Sequence, residues 1–288
     1  MHTAIDMGAN CIPCVIPPAL SDIPISRWCN YAATHNQLEL LLWARSHGAP
    51  WDENVCAYAA KHGHLGILQW ARNHGAPWDS STCDWAAEYG HLEVLKWARS
   101  NGAPWNVTCE LAAANGHTGV LQWARSHGAS WNENTCLNAA AYGHLKTLQW
   151  AMEHGAPWDE WACAYAAKNG YLEILQWARE NGAPWNGTTC AFTMHNALFA
   201  SCYDFDYNYD VLITLQWAMA HGAPLNSVDI KAYEENIIST NWRGVALALV
   251  RRNRVTPRIN YCVKRFIVKM TRVLPLTTPL CNMVINYC

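Results

Sequence analysis

The chain has 288 residues, 51% of them hydrophobic and only 15% charged, with 17 tryptophans and a net charge of −2. That is ample apolar material for a continuous core. No run of 18 apolar residues is present, which argues against a membrane span. No basic segment leads into a long apolar run at the start, which argues against a secretory signal. The charge is unevenly placed: no Asp or Glu follows Glu235, while nine Lys and Arg fall between Arg243 and Arg272. The first 240 residues therefore carry 11 basic and 22 acidic side chains, and so acidic a body fits poorly with nucleic acid.

Residues 1–25 hold Cys11-Ile12-Pro13-Cys14 and the pair Pro17-Pro18. A zinc site needs about four ligands, and no second Cys-x-x-Cys or matching histidine pair accompanies this one. The segment reads as a Pro-rich lead-in, and no metal or cofactor is expected. From residue 26 a repeat begins. Its first unit is divergent (Trp28, Cys29, Ala32-Ala33, then Leu38 to Trp43) and has Asn36-Gln37 where later units have Gly-His, as expected of a terminal cap.

Regular units follow. A loop tryptophan recurs as Trp51, Trp78, Trp105, Trp131, Trp158 and Trp185, at spacings of 27, 27, 26, 27 and 27. A second series runs Trp43, Trp70, Trp97, Trp123, Trp150 and Trp177, then Trp217 after a gap of 40. A period between about 20 and 50 residues is the mark of a stacked solenoid, and one elongated domain is the expectation. Each unit reads as two short helices. In the unit from Trp78, Asp79 is placed to cap the first. Cys83, Ala86 and Ala87 give that helix a small apolar face, and Gly90-His91 separates it from the second. Leu92, Val94, Leu95, Trp97 and Ala98 line the second helix. Gly102 supplies a left-handed C′ residue, and Pro104 prevents continuation. An insertion near 196–208 delays the second helix of the next unit. Beyond Pro224 the pattern decays, and residues 258–288 form a basic amphipathic segment expected to close the stack or dock.

Cys29, Cys56, Cys83, Cys109, Cys136, Cys163 and Cys190 occupy one site in successive units. Stacked helices lie about 8–10 Å apart, too far for disulfides, whose Cα atoms stand within about 7 Å. These should be buried thiols in a reducing compartment, cytoplasmic by this reading. His64, His91, His117 and His144 recur once per unit, which suits hydrogen bonding at the turn and not metal ligation. The Trp70 series is assigned to the core, the Trp78 series to the joints between units. No Gly-x-Ser-x-Gly, P-loop or His-Glu-x-x-His occurs, so no catalytic residues are assigned and enzyme activity is not expected.

The stretch Ala86-Ala87-Glu88-Tyr89-Gly90-His91-Leu92-Glu93-Val94-Leu95, followed by Gly102-Ala103, resembles the ankyrin repeat, including its small-residue first helix and Gly-His turn. Ankyrin repeats usually run to about 33 residues. Here the hairpin finger looks trimmed to Pro-Trp-Asp/Asn, and the usual Thr-Pro-Leu-His start reads Thr82-Cys83-Asp84-Trp85 or Thr135-Cys136-Leu137-Asn138. This tryptophan-rich short form is similar to repeats of large DNA viruses and some unicellular eukaryotes; a viral origin would allow a host cytoplasm or nucleus. The resemblance covers residues 26–257, about eight units. It implies an all-α, ankyrin-like solenoid acting as a non-catalytic scaffold, monomeric, with a protein partner, no nucleic acid and no favoured membrane surface. With trimmed fingers, recognition should shift to helix surfaces. The pair after Ala-Ala varies at fixed spacing and gives the expected partner-binding stripe: His35, Lys61, His62, Glu88, Tyr89, Asn115, Tyr142, Lys168 and Asn169. The alternatives are an adaptor to a ubiquitin-ligase-type machine and a membrane-surface protein docked by the basic segment.

Overall fold

The structure is a computed structural model describing residues 24–199 and 205–224. The lead-in through residue 23, residues 200–204 of the insertion and everything beyond Pro224, the basic segment 258–288 included, lie outside the described residues. Among the described residues there are helices and no strands. They fall in two compact units, divided between Trp131 and Asn132. The first unit, after a 3-10 turn at Ile25–Arg27, holds α1 (Trp28–Thr34), α2 (Leu38–Ser46), α3 (Glu53–Lys61), α4 (Leu65–Asn73), α5 (Ser81–Glu88), α6 (Leu92–Ser100), α7 (Thr108–Ala114) and α8 (Thr118–Ser126). The second holds α9 (Glu133–Ala141), α10 (Leu145–Glu153), α11 (Glu160–Lys168), α12 (Leu172–Glu180), α13 (Gly187–Phe199) and α14 (Phe205–Ala220). Within each unit every odd-numbered helix pairs with the next even one. First helices stack on first helices, α1 to α3 to α5 to α7 and, separately, α9 to α11 to α13.

Local chemistry sets the helix boundaries. Asp52, Asn132 and Asp159 stand in extended backbone before their helices, and each accepts a hydrogen bond from the backbone N–H two residues on. Asp79 does the same for Ser81, 2.9 Å away. At the other end, Gly102 adopts φ +84°, and Ala103 N–H reaches back to Ala98 O at 3.0 Å, closing the helix with a Schellman turn. In the divergent first unit Asn36 takes the left-handed place at φ +55°.

The unit whose loop is one residue shorter has a different solution. Val107 precedes α7 and offers no side-chain cap. Asp84, on α5 of the preceding repeat and only 5% exposed, takes over: its Oδ1 accepts from Thr108 Oγ1 at 2.6 Å and from Asn106 N–H at 3.2 Å. The side-chain acceptor that other units carry in the loop is supplied here from the neighbouring helix.

Leucines and alanines form the core. On α6 the buried residues are Val94, Leu95 and Ala98; on α8 they are Val120, Leu121 and Ala124. The expectation that the Trp70 series is core is corrected: Trp43, Trp70, Trp97, Trp123, Trp150, Trp177 and Trp217 are all partly exposed. On a 3.6-residue turn the tryptophan falls two residues past the fully buried leucine, at the edge of the apolar stripe. There it meets the loop tryptophan edge-on, as in Trp78–Trp97 and Trp105–Trp123, with centroids 6.0 and 6.3 Å apart. Where histidine follows four residues on, the rings stack, Trp123 on His127 at 4.2 Å.

The cost of truncation should follow burial. Leu121→Ala is expected to cost about 2–5 kcal/mol, and Trp123→Ala less than Leu121→Ala, because its ring already meets water in the folded state. Chemical denaturation of the two variants checks the order; a larger loss for Trp123→Ala would return that ring to the core.

The seven periodic cysteines are free and buried. Burial pushes the thiols of Cys56, Cys83, Cys136 and Cys163 up to about 12, and those of Cys109 and Cys190 up to about 11. Because the folded value lies above the unfolded value of 9.0, these thiols contribute stability that is complete below pH 9 and is lost as pH rises toward 12. The loss approaches about 1.4 kcal/mol per thiol per pH unit. The melting temperature should therefore fall steeply above pH 9, and Cys83→Ala should flatten that slope. A melting temperature level to pH 10.5 would contradict the burial of these thiols.

Candidate functional site

The first-helix face of each unit is built on a lock between successive repeats. His64 Nε2 donates to Thr34 O at 3.2 Å, His91 to Lys61 O at 3.0 Å, and His117 to Glu88 O at 3.1 Å. Each acceptor is the first of the two variable residues after Ala-Ala, one repeat earlier. His91 and His117 reach it by lying over the glycine of the earlier repeat, whereas for His64 that place is held by Asn36. A Cβ on Gly63 would stand 2.8 Å from the His91 ring, and one on Gly90 would stand 2.7 Å from the His117 ring. The Gly-His pair thus works between repeats as well as at its own turn. In the second unit Tyr171 lies over Gly143, and asparagine replaces histidine as donor: Asn169 Nδ2 to Ala141 O at 2.7 Å, Asn196 Nδ2 to Lys168 O at 2.6 Å.

With their main chain fixed, the side chains of the variable pair face outward to differing degrees. In the first unit His35 is exposed, stacks on Tyr31 at 4.0 Å and bonds through Nδ1 to Tyr31 O. His62 is exposed beside His64, ring centroids 5.9 Å apart. Desolvation first, then the neighbouring His64, Lys61, His35 and His91, hold its imidazolium below the ordinary range. Tyr89 is 43% exposed, Glu88 is partly exposed, and Asn115 is exposed with its amide on Leu111 O. Lys61 is partly exposed, its Nζ 5.5 Å from the Trp85 ring centre and 5.1 Å from that of Tyr89. In the second unit Tyr142 is 60% exposed. Lys168 Nζ lies 5.3 Å from Tyr165 and 5.9 Å from Phe192. Asn169 serves the framework through its bond to Ala141 O.

One series of face residues was not singled out in the sequence. Two residues after the periodic cysteine come Tyr31, Tyr58, Trp85 and Leu111 in the first unit, and Asn138, Tyr165 and Phe192 in the second. All are partly exposed, and each sits three residues before the first variable position, on the same side of its helix. Tyr58 and Trp85 pack across the repeat boundary with centroids 5.5 Å apart. Trp161, Tyr165 and Phe192 form a corresponding cluster, 5.6 Å from Trp161 to Phe192 and 5.9 Å from Tyr165 to Phe192.

Arginines at a fixed place before each loop tryptophan also went unnoticed. Arg45, Arg72, Arg99 and Arg125 lie over Trp51, Trp78, Trp105 and Trp131, and Arg179 over Trp185, at 3.9–4.5 Å. Each also donates to the carbonyl of the alanine four residues on, Arg45 to Ala49 for example at 2.6 Å. Their regular spacing was the signal. The exception is Met152, whose sulfur lies 3.7 Å from Cys136 Sγ. These guanidinium groups are therefore held against rings instead of presented as a basic stripe. Among the described residues no three His, Cys, Asp or Glu side chains converge as metal ligands, and no helix is long and apolar enough to cross a membrane.

A family model for ankyrin repeats in many copies matches residues 83–125 and 136–179. No curated protein matches the chain. Among solved structures, the crystal structure of the human ASB11 ankyrin repeat domain is similar at a TM-score of 0.47 and 15% identity, covering 54% of this chain and 84% of that one. The family match falls on units whose paired helices and Schellman closures recur on either side of it; residues 83–125 and 136–179 are ankyrin repeats.

Proposed function

We propose that the chain is a non-catalytic scaffold that binds a protein partner through the first-helix faces of its repeats. Ankyrin repeats are in general protein-interaction modules, and a protein partner fits that role. The observation that carries the reading is the separation of two residue sets on the same short helix. The periodic cysteine and alanines recur, held by packing and by the lock. The aromatic and charged residues between them change from repeat to repeat while remaining accessible. Exposed tyrosines such as Tyr89 and Tyr142 are favoured interface anchors. The arginines of the second helices, engaged with tryptophan, leave little for phosphate, so protein and not nucleic acid is the partner. The free thiols suit a reducing compartment.

The test is a full-length His62→Ala, Tyr89→Ala, Asn115→Ala, Tyr142→Ala variant, measured against the partner recovered by pull-down and mass spectrometry. Affinity should weaken by about 2 kcal/mol or more, the scale of one hot-spot residue. Each exposed substitution should change stability by only about 0.5 kcal/mol. Undiminished affinity with a normal melting curve would remove the first-helix faces from the interface.

A further inference from the structure

The hexapeptide Cys-Ala-Tyr-Ala-Ala-Lys occurs twice, as residues 56–61 on α3 and as residues 163–168 on α11, one copy in each compact unit. Each copy presents its tyrosine and lysine on the first-helix face, and in each case the next repeat adds an aromatic ring, Trp85 or Phe192. The result is the same small cluster built twice: Tyr58, Lys61 and Trp85, with Tyr89 at its rim, and Tyr165, Lys168 and Phe192, with Trp161 at its rim. The equivalent positions on α7 are Leu111 and Ala114, and those on α9 are Asn138 and Ala141. Neither pair offers a cation or an aromatic ring.

Among the described residues neither lysine has a carboxylate within ion-pair distance. The ion pair found among the described residues is Lys96–Glu93, away from both clusters. The acids on α3 and α11 are Glu53 and Glu160, in the first turn, about two turns from the lysine at the other end of the same helix. His62, beside Lys61, has His35, His64 and His91 about it; the acid at the adjoining helix end is Glu88 for Lys61 and Asp210, whose Cβ lies against Gly170, for Lys168. An ammonium resting on aromatic faces, with no anion and partly removed from water, favours a carboxylate brought by another molecule. The rings beside it offer apolar surface to the side chain next to that carboxylate.

We infer that each cluster is a docking site for an acidic peptide segment of the partner, the carboxylate meeting Lys61 or Lys168 and the adjacent aromatic or aliphatic side chain lying on the rings. This rests on the protein-interaction reading and names the chemistry of the partner. It also gives the chain two equivalent sites for a short peptide, one per compact unit, the first weakened by Glu88 and the second by Asp210.

The test is an NMR titration of the full-length, ¹⁵N-labelled chain with the blocked tripeptide Glu-Phe-Glu. The indole N–H signals of Trp85 and Trp161 report the two clusters separately. Both should shift saturably, and the blocked peptides Gln-Phe-Gln and Lys-Phe-Lys should bind at least about tenfold more weakly. Lys61→Gln should abolish the Trp85 response and leave that of Trp161, and Lys168→Gln should do the reverse. Both are exposed-face changes, checked by an unaltered circular dichroism spectrum; Lys61→Arg and Lys168→Arg, keeping the charge, should retain binding. Equal binding of the lysine peptide, or a response that survives Lys61→Gln and Lys168→Gln, would overturn the proposal. Silence of both indoles, while the quadruple alanine variant still loses its partner, would overturn the carboxylate sites and leave the interaction reading standing.

Discussion

The hydrogen bond from one repeat's histidine to the main chain of the repeat before it, made across a glycine, is the constraint on which the rest of the first unit depends. In the regular repeats it brings three things together: a donor ring at the start of the second helix, a free carbonyl at the end of the preceding first helix, and a glycine, with no Cβ, between them. His91 on Lys61 O and His117 on Glu88 O meet all three. Short helices of seven to nine residues are marginal alone. Their stability has to come from neighbours, and a polar contact with fixed geometry sets the spacing between repeats more sharply than alanine packing does. The second unit keeps the contact while changing the donor, with Asn169 and Asn196 in place of histidine. The carbonyl is the common partner, beside a glycine in all but the first repeat, where Asn36 takes that place, and the ring is one way of reaching it.

The proposed function uses what this lock leaves free. It engages the backbone of the variable pair, so the side chains at Lys61, His62, Glu88 and Tyr89 can change without disturbing the stack. Packing leaves a second freedom two residues after each cysteine, where the side chain lies at the border of the buried face. Tyr58 and Trp85 occupy it in one unit, Tyr165 and Phe192 in the other, and each pair borders a lysine. Cations on the second helices are treated differently. Arg72 and Arg99 are fixed to Trp78 and Trp105 and to nearby carbonyls, and contribute to the joints of the stack. The two kinds of cation thus have separate surroundings, one fixed in the joints of the stack and one on the face proposed to meet the partner.

Much of the fold was legible because it is local. The period, the Asp79-type caps and the Gly102-type closures are all stated within a few residues of where they act. The tryptophans of the second helices misled because bulk and periodicity suggested core, whereas two residues of helix rotation from Leu95 carry Trp97 to the edge. Asp84 was opaque for another reason: its partner Thr108 is 24 residues away in the next repeat, and only stacking brings them together. The variable pair was visible as a pattern. The aromatic series at Tyr58 and Trp85 was not, since a large ring beside cysteine and alanine reads as one more apolar helix position. The arginine before five of the loop tryptophans went unread because only the distance to the ring shows what it does.

The most direct measurement compares Gly90→Ala with Gly102→Ala in otherwise identical chains. Both glycines have positive φ, +79° and +84°, so the left-handed backbone costs each alanine about 1–2 kcal/mol. They differ in what the new Cβ meets: the His117 ring at 2.7 Å for Gly90, and nothing within 4 Å for Gly102. The lock predicts that Gly90→Ala is the more destabilising by at least about 1 kcal/mol, the worth of one hydrogen bond. It also predicts that the excess disappears when both glycine substitutions are compared in a His117→Ala background. Equal losses at the two glycines, or an excess that persists without the His117 ring, would contradict the account.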